Sequence, residues 1–394
     1  MDDRGMQEMQ NTLAGSGQAL GDKQKVKVYV GAVFVLSLIL LALLYLYYML
    51  SAPPMATRAE RPKGFNHLFS IYGFGKERLG RPSDVAVARN GDIYVADTDN
   101  HRIAVFDEEG KFLREHRNFG KGKGQFEYPN AIDVAANGNV YLVSKTLIKL
   151  MIMSPRFKTV REIQVDRPIE VKVHGKRLLV GTYRGIIQAD LDGNLISGFG
   201  KRGTAKGEFD FPRGLAADEK NIYVADSLNY RVQALTVKGK PIWIVGKPVK
   251  DIMAAKRRFS LPVSIELADD GYLYLVDAFA AEIFVLDTEG KQVARYGEWG
   301  HDEGFFYYPG GMAYAGDEKF IIADTYNDRV QVVQIPSPSA SLLKRATRSN
   351  WIWLVVAFIL LLVAYLVQRY WRRFRASNQG TGFRVQGPGE QLTR

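Results

Sequence analysis

The stretch that decides the fold is "IYVADTDNHRIAVFD", residues 93–107. Apolar residues lead into an acid, a polar corner follows, and an arginine five residues after the acid begins a second apolar run. Two near copies occur later in the chain, "IYVADSLNYRVQAL" from Ile222 and "FIIADTYNDRVQVV" from Phe320. Because a set of catalytic residues is needed only once, this recurrence favours an architectural unit over an active-site motif.

A larger repeating unit surrounds each copy. Short apolar strands alternate with turn signals such as "RNGD" and "DEEGK", a pattern typical of all-β proteins. Each unit is about 45 residues long and has about four strands, which predicts an all-β, six-bladed β-propeller. Six prolines open the successive units: Pro82, Pro129, Pro168, Pro212, Pro262 and Pro309.

The ring is predicted to close with a strand from the front of the chain. The sixth unit ends at Ile335 without the outer strand that the other units have. The segment from about Leu68 to Tyr72 resembles those outer strands and is predicted to complete the last blade. We therefore place the propeller at residues 65–336.

An acid and an arginine recur at the same place in three of the units. The acid ends the second strand of a blade and the arginine begins the third, so the two side chains are predicted to pair across the corner. We interpret them as structural repeat pairs. The pairs are Asp97 with Arg102, Asp226 with Arg231, and Asp324 with Arg329.

With these motifs the chain resembles the NHL-repeat propellers. The resemblance covers residues 65–336 and rests on the strand starts "PRGLAA" and "PGGMAY", on "IYVAD" followed by an Asn-x-Arg corner, and on "GKGKGQFEYP" and "KGEFDFP". It implies a six-bladed propeller. The family includes RNA-binding and protein-binding scaffolds, a peptide-amide lyase and lactonase-like relatives, so the resemblance alone does not select a function.

The inner strand of each blade should line the central channel. Positions two and four residues after the opening prolines are mostly small, and charged residues stand out against them. Converging acids could hold Ca²⁺, could act as general bases, or could pair structurally, and no other cofactor is predicted. The candidate binding residues are Asp84, Asp133, Glu170, Lys172 and Glu266.

The charge distribution and the cysteine and histidine content exclude some classes of partner and site. Residues 65–336 carry 37 basic and 36 acidic side chains, whereas the rest of the chain carries 16 and 6. The near-neutral propeller disfavours nucleic acid as a partner, and the basic flanks favour a membrane surface. The absence of cysteine excludes disulfides and thiolate sites, and no histidine pair has the HExxH spacing of zinc hydrolases.

Two long apolar segments, residues 28–50 and 351–370, are predicted as transmembrane helices because each is long enough to cross a bilayer. A cleaved signal peptide is the alternative for the first, and its long polar leader disfavours it. We expect an integral membrane protein in contact with the lipid bilayer, with both termini cytoplasmic and the propeller extracytoplasmic. The remaining segments are a polar tail at 1–27, linkers at 51–64 and 337–350, and a basic tail at 371–394.

These features together predict a membrane-anchored, non-enzymatic binding or scaffold module. Its partner would be a protein or a small ligand on one face of the propeller. The alternative is a metal-dependent hydrolase or lyase, lactonase-like or amide-lyase-like, with its site in the central channel.

Overall fold

The computed structural model describes residues 64–144, 148–247 and 258–339, together with Thr146 and scattered helical residues between 31 and 45 and between 362 and 372. In this part of the chain, 26 strands form six four-stranded antiparallel sheets and one two-stranded hairpin. The prediction of an all-β, six-bladed propeller is confirmed.

Each blade runs outward from an inner strand at the channel. The inner strands of blades 1 to 6 are β4 (Pro82–Val87), β8 (Pro129–Val134), β12 (Pro168–His174), β16 (Pro212–Ala217), β20 (Pro262–Leu267) and β24 (Met312–Tyr314). The second strands are β5 (Ile93–Asp97), β9 (Val140–Ser144), β13 (Arg177–Thr182), β17 (Asn221–Asp226), β21 (Leu273–Asp277) and β25 (Lys319–Asp324).

The third and outer strands complete the blades. The third strands are β6 (Arg102–Phe106), β10 (Lys149–Met153), β14 (Gly185–Asp190), β18 (Arg231–Thr236), β22 (Glu282–Leu286) and β26 (Arg329–Gln334). The outer strands are β7 (Phe112–Arg117), β11 (Thr159–Gln164), β15 (Leu195–Phe199), β19 (Pro241–Gly246), β23 (Gln292–Tyr296) and β1 (Asn66–Ile71). The hairpin is β2 (Gly73–Phe74) with β3 (Glu77–Arg78), and short 3₁₀ turns lie at Ser227–Asn229 and Thr325–Asn327.

The ring closes as the sequence predicts. β1 pairs antiparallel with β26, so that the sixth sheet has the order β1-β26-β25-β24. The closing strand spans Asn66–Ile71, slightly earlier than the predicted segment. The first described strand thereby completes the blade formed by the last three, which joins the two ends of the ring.

The hydrophobic core is divided among the six blade boundaries. One apolar cluster fills the space between each pair of neighbouring blades, and Ile71, Val95 and Val332 belong to the one between blades 6 and 1. Because other blades cover both faces of these sheets, the second and third strands are apolar along most of their length. The outer strands are only partly buried.

One end of the propeller collects the loops that matter for function. We define the upper face as the end at which the inner strands begin. Since neighbouring strands are antiparallel, the corner between the second and third strands lies on this face. The connection from each outer strand to the next inner strand lies there too. The consecutive inner strands contact one another around the whole ring and form the wall of the channel.

The prediction of two flanking transmembrane helices is wrong. Across the described residues, no helix has both the length and the apolar character that crossing a bilayer requires. The proposed bilayer contact and the integral membrane localisation, with cytoplasmic termini and an extracytoplasmic propeller, are corrected with it. That prediction rested on the length, hydropathy and basic flanks of the two segments, and these do not establish that a helix of about 20 residues forms. Much of segments 28–50 and 351–370 lies outside the described residues.

Candidate functional site

The central channel brings together the five charged residues that the sequence singles out. The cavity has about 250 Å³ of free space, with the solvent at its mouth included. That these five charged residues bind a ligand stays a prediction. The cavity is lined by Asp84, Asp133, Glu170, Lys172 and Glu266, together with Gly214, Ser264 and Met312.

Two of the channel carboxylates join neighbouring blades. Asp84 of blade 1 accepts the backbone N–H of Ile132 in blade 2 at 2.8 Å. Asp133 of blade 2 accepts the backbone N–H of Val173 in blade 3 at 2.7 Å. A carboxylate that accepts a buried backbone N–H holds two inner strands in register. Both side chains therefore have a structural task at the channel wall.

Blades 5, 6 and 1 are joined in a similar way by small residues. The Ser264 hydroxyl accepts the N–H of Met312 at 3.1 Å. Gly311 donates its N–H to the Ser83 carbonyl at 2.9 Å. A Cβ at Gly311 would lie 1.7 Å from Asp84 Oδ1, so only glycine permits this approach. The small residues of the inner strands thus allow blade-to-blade hydrogen bonds.

Burial controls the charges inside the channel. Lys172 of blade 3 forms an ion pair with Glu266 of blade 5. Burial raises the pKa of Glu266 to about 7, against the lowering effect of Lys172. Burial also raises the pKa of Asp84 to about 7. Burial raises the pKa of Glu170 well above its usual range, and the negative charge of Asp84 raises it further. Sequence reasoning missed Arg213, whose pKa burial lowers although Glu170 and Asp84 act against this.

We expect Asp84→Asn to change how stability depends on pH. Asp84 holds a proton in the folded state up to about pH 7, whereas in the unfolded chain it loses this proton near pH 4. Its contribution to the unfolding free energy therefore falls as pH rises from about 4 to about 7. The difference between the urea midpoint of the variant and that of the native chain should therefore shift in favour of the variant as pH rises from about 4 to about 7. Parallel profiles would contradict the assignment, and the exposed Glu109→Gln is the control.

Whether Ca²⁺ binds in the channel stays a prediction, and the described residues offer it no ready cluster of ligands. No three His, Cys, Asp or Glu side chains are arranged to hold a metal ion within the part of the chain that the structure describes. Ca²⁺ takes about six to eight oxygen ligands. Backbone N–H groups already donate to Asp84 and Asp133, and Lys172 pairs with Glu266.

The recurring acid and arginine of blade 4 hold a loop of the upper face in place. Asp226 and Arg231 are both buried, and Arg231 Nε lies 2.8 Å from Asp226 Oδ2. Asp226 also accepts the N–H of Asp210 and a hydrogen bond from Asn229. The pair therefore fixes residues 200–211, and the other N–H groups of Arg231 donate to the carbonyls of Thr204, Ala205 and Glu208.

The pair of blade 6 does the same for residues 297–308. Arg329 Nε lies 2.8 Å from Asp324 Oδ2, and Asp324 accepts the N–H of Tyr307 at 2.7 Å. Arg329 donates further hydrogen bonds to the carbonyls of Asp302 and Phe305. The conformation of this upper-face loop is thus determined by buried, charge-assisted hydrogen bonds.

Blades 1 and 2 have the same device, and blade 2 has it with a lysine in place of the arginine. Arg102 Nε lies 2.5 Å from Asp97 Oδ2 in blade 1, and Asp97 accepts the N–H of Gly80. In blade 2, Lys149 stands at the arginine position and donates to the carbonyl of Gly122 at 3.1 Å. In blade 2 a lysine at the start of the third strand therefore holds the upper-face loop in place of the arginine.

Aromatic rings cluster on the upper face at blades 5 and 6. Neighbouring ring centroids are 4.8 to 5.7 Å apart. Phe279, Trp299 and Tyr326 are 58%, 57% and 51% exposed. Contiguous exposed aromatic residues mark interaction sites, because monomers rarely leave such patches in water. We term this cluster the aromatic surface and define it as Phe279, Trp299, His301, Tyr307, Tyr308 and Tyr326.

Sequence reasoning missed the aromatic surface, although a signal was present. The string "EWGHDEGFFYYP" stands where another unit has "NFGKGKGQFEYP", with more aromatic residues and with His301 and Glu303 in place of the two lysines. Asp302 and Asp328 border the rings, and Arg81 lies over the Tyr326 ring at 5.3 Å from its centroid. The upper face therefore combines exposed rings with localised charge.

Comparison with known proteins supports the repeat. Residues 79–106 match the NHL repeat. This segment contains the Asp97 and Arg102 pair, so the resemblance seen in the sequence is confirmed there. The "B-box type zinc finger protein ncl-1" of Caenorhabditis elegans is 48% identical over 61 residues, which are 15% of this chain and 7% of that protein. "Protein brain tumor" of Drosophila melanogaster is 41% identical over 69 residues, 17% of this chain and 7% of that protein.

These likenesses support the repeat and the fold. The chain spans only 7% of the length of each of the two curated relatives. Among solved structures, a streptogramin B lyase aligns with 71% of this chain and 100% of its own, at 12% identity and a TM-score of 0.50. At this identity the similarity shows the propeller fold alone, since one fold hosts many functions.

Proposed function

We propose that this chain is a non-enzymatic scaffold whose upper face binds a protein partner through the aromatic surface. The observation that carries the proposal is the contiguous cluster of exposed rings, with Trp299, Phe279 and Tyr326 each more than half exposed. Tryptophan and tyrosine are enriched among the residues that contribute most to protein–protein affinity. The resemblance to NHL propellers supports this choice, because that family includes protein-binding scaffolds.

The rigidity of the aromatic surface favours binding. Asp324 and Arg329 fix the loop that carries Trp299 and Tyr307, and Tyr326 lies in a 3₁₀ turn directly before that arginine's strand. A surface that is already in its binding conformation loses little conformational entropy when a partner arrives. The repeated acid and arginine thus serve recognition indirectly, by holding the loops.

The channel gives no comparable support to a hydrolase or lyase. Two of its carboxylates accept backbone N–H groups from neighbouring blades, and a third is paired with Lys172. The cavity has about 250 Å³ of free space even with the solvent at its mouth included, which leaves little room for a substrate. A protein partner on the open face therefore accounts for more of the structure than a small ligand in the channel does. That nucleic acid is not the partner stays a prediction.

Site-specific photo-crosslinking tests the proposal. In the full chain, p-benzoylphenylalanine replaces either Trp299 or Lys238, and the latter lies on the turn between β18 and β19 at the opposite end of the propeller. We expect a protein to be captured from the Trp299 position and not from Lys238.

We expect Trp299→Ala to weaken binding of that purified protein by about 2 kcal/mol, because exposed tryptophans often dominate an interface. Isothermal titration measures the change, and Lys238→Ala should leave the affinity unaltered. Equal capture at both positions, or an affinity unchanged by Trp299→Ala, would contradict the proposed function.

A further inference from the structure

Three equivalent loops of the upper face differ in charge. Each connects an outer strand to the next inner strand, and each contains the same isolated bridge, Phe119 with Phe126, Arg202 with Phe209, and Trp299 with Phe306. The first two loops carry Lys121 and Lys123, and Lys201, Arg202 and Lys206. The third loop, residues 297–308, has no lysine or arginine and carries Glu298, Asp302 and Glu303. The fold is constant here while the charge changes sign.

Two acids of the third loop, Glu298 and Asp302, lie beside the aromatic surface, whereas Glu303 pairs with His67 and accepts hydrogen bonds from Ser70 and Tyr72. Glu298 and Asp302 flank Trp299 and His301 in the chain and are exposed. The Asp302 carboxylate has no ion-pair partner among the described residues. The nearby Arg81 guanidinium lies over the Tyr326 ring, and its Nε is 3.4 Å from Asp99. The charged side chains of the loop that carries Trp299 are therefore all acidic.

The orientation of His301 adds an acceptor to this surface. Asn327 Nδ2 donates to the Gly300 carbonyl at 3.0 Å and to Asp324 at 2.8 Å, so Asn327 Oδ1 is its acceptor atom. His301 Nδ1 lies 2.7 Å from this oxygen and must carry the proton of that hydrogen bond. In the neutral ring, Nε2 then holds a lone pair that can accept a hydrogen bond from a partner.

We propose that the aromatic surface recognises a basic segment of a partner protein, a proposal that rests on the function proposed above. Lysine or arginine side chains lie against the faces of Trp299 and Tyr308, where the negative face of a ring attracts a cation, and Arg81 already lies over Tyr326 in the same way. Their charged groups contact Asp302 and Glu298, and an N–H donates to His301 Nε2. Negative potential around the rings also speeds the approach of a basic segment and opposes that of an acidic one.

The test uses the full chain labelled with 5-fluorotryptophan. The resonance of Trp299 is assigned by its absence in Trp299→Phe. The probes are a peptide that alternates glycine with lysine and arginine, its counterpart with glutamate and aspartate, and a neutral counterpart with serine and glutamine. Fluorine spectra during titration report binding at Trp299 itself.

We expect the basic peptide to shift the Trp299 resonance and to bind at least about tenfold more tightly than the other two. Asp302→Asn should weaken binding of the basic peptide at least about threefold without a change in the thermal midpoint. Lys123→Gln, on an equivalent loop that carries lysines, is the matched control and should not weaken it. Higher salt should weaken binding of the basic peptide.

Equal shifts by the neutral or acidic peptide would overturn the inference, and so would a resonance that no peptide moves. The proposed function stands in either case if Trp299→Ala still weakens binding of the crosslinked protein partner. If that variant binds the partner normally, the proposed function fails instead. The two proposals are therefore separable by experiment.

Discussion

Deleting residues 1–75 is expected to abolish the cooperative unfolding of the propeller. The deletion removes β1, which pairs with β26 through five residue pairs and buries Ile71 between blades 6 and 1. It also removes β2, whose Phe74 stacks on Phe112. The lost hydrogen bonds and the lost burial together cost on the order of 5 kcal/mol or more. That is comparable with the whole stability of a typical domain, about 5–15 kcal/mol. Urea unfolding followed by circular dichroism measures it.

Deleting residues 1–62 is the matched control, because it leaves β1 intact. We expect this chain to keep the urea midpoint and the single transition of the full chain. The longer deletion should also expose the edge of β26, whose unpaired N–H and C=O groups favour aggregation. If residues 76–394 unfolded with the same midpoint as the control, ring closure by β1 would not matter for stability.

The propeller and its closure are readable from the sequence because they depend on local, repeated signals. The proline at the start of each inner strand and the corner from Asp97 to Arg102 recur with a regular period. The unpaired last unit indicates that a strand from elsewhere must complete it. These arguments use only the spacing of the repeated residues along the chain. That spacing is regular because every blade has the same strands and the same position relative to its neighbours.

In the channel, the sequence predicts which residues line the cavity but not which of them pair. Alternation along the inner strands places Asp84, Glu170 and Glu266 at the cavity, since successive side chains point to opposite sides of a strand. It does not show that Lys172 pairs with Glu266, because their contact depends on how two non-adjacent blades are positioned around the ring. Arg213, directly after an opening proline, falls outside the alternation and was missed.

The aromatic surface and the apolar flanks show two further limits. The loop around Trp299 looks like a third copy of a connecting loop, and nothing in its spacing indicates that its rings are exposed and touch Tyr326. Exposure follows from the fixed conformation of the loop, which depends on distant partners such as Arg329. The prediction for segments 28–50 and 351–370 used hydropathy. Hydropathy describes the preference of side chains for lipid over water, and it does not show that the segment forms a helix.

Arg231→Ala is expected to lower the unfolding free energy by about 3 to 5 kcal/mol, because it leaves a buried carboxylate without its cation. Asp226 is fully buried and accepts hydrogen bonds from Arg231, Asn229 and the N–H of Asp210. The variant also leaves carbonyls of the loop 200–211 without donors. Urea unfolding at constant pH measures the change.

The pH dependence of this loss identifies its cause. Burial already raises the pKa of Asp226, against the lowering effects of Asn229, the Asp210 N–H and Arg231, and removing Arg231 should raise it further. The variant's folded state then favours the protonated acid, so its deficit should be smaller at about pH 5 than at about pH 8. Arg202→Ala, an exposed arginine of the same loop, should change stability by less than about 0.5 kcal/mol. A stable Arg231→Ala that no longer bound its partner would make the pair part of the binding site. A deficit independent of pH would instead assign the cost to lost packing.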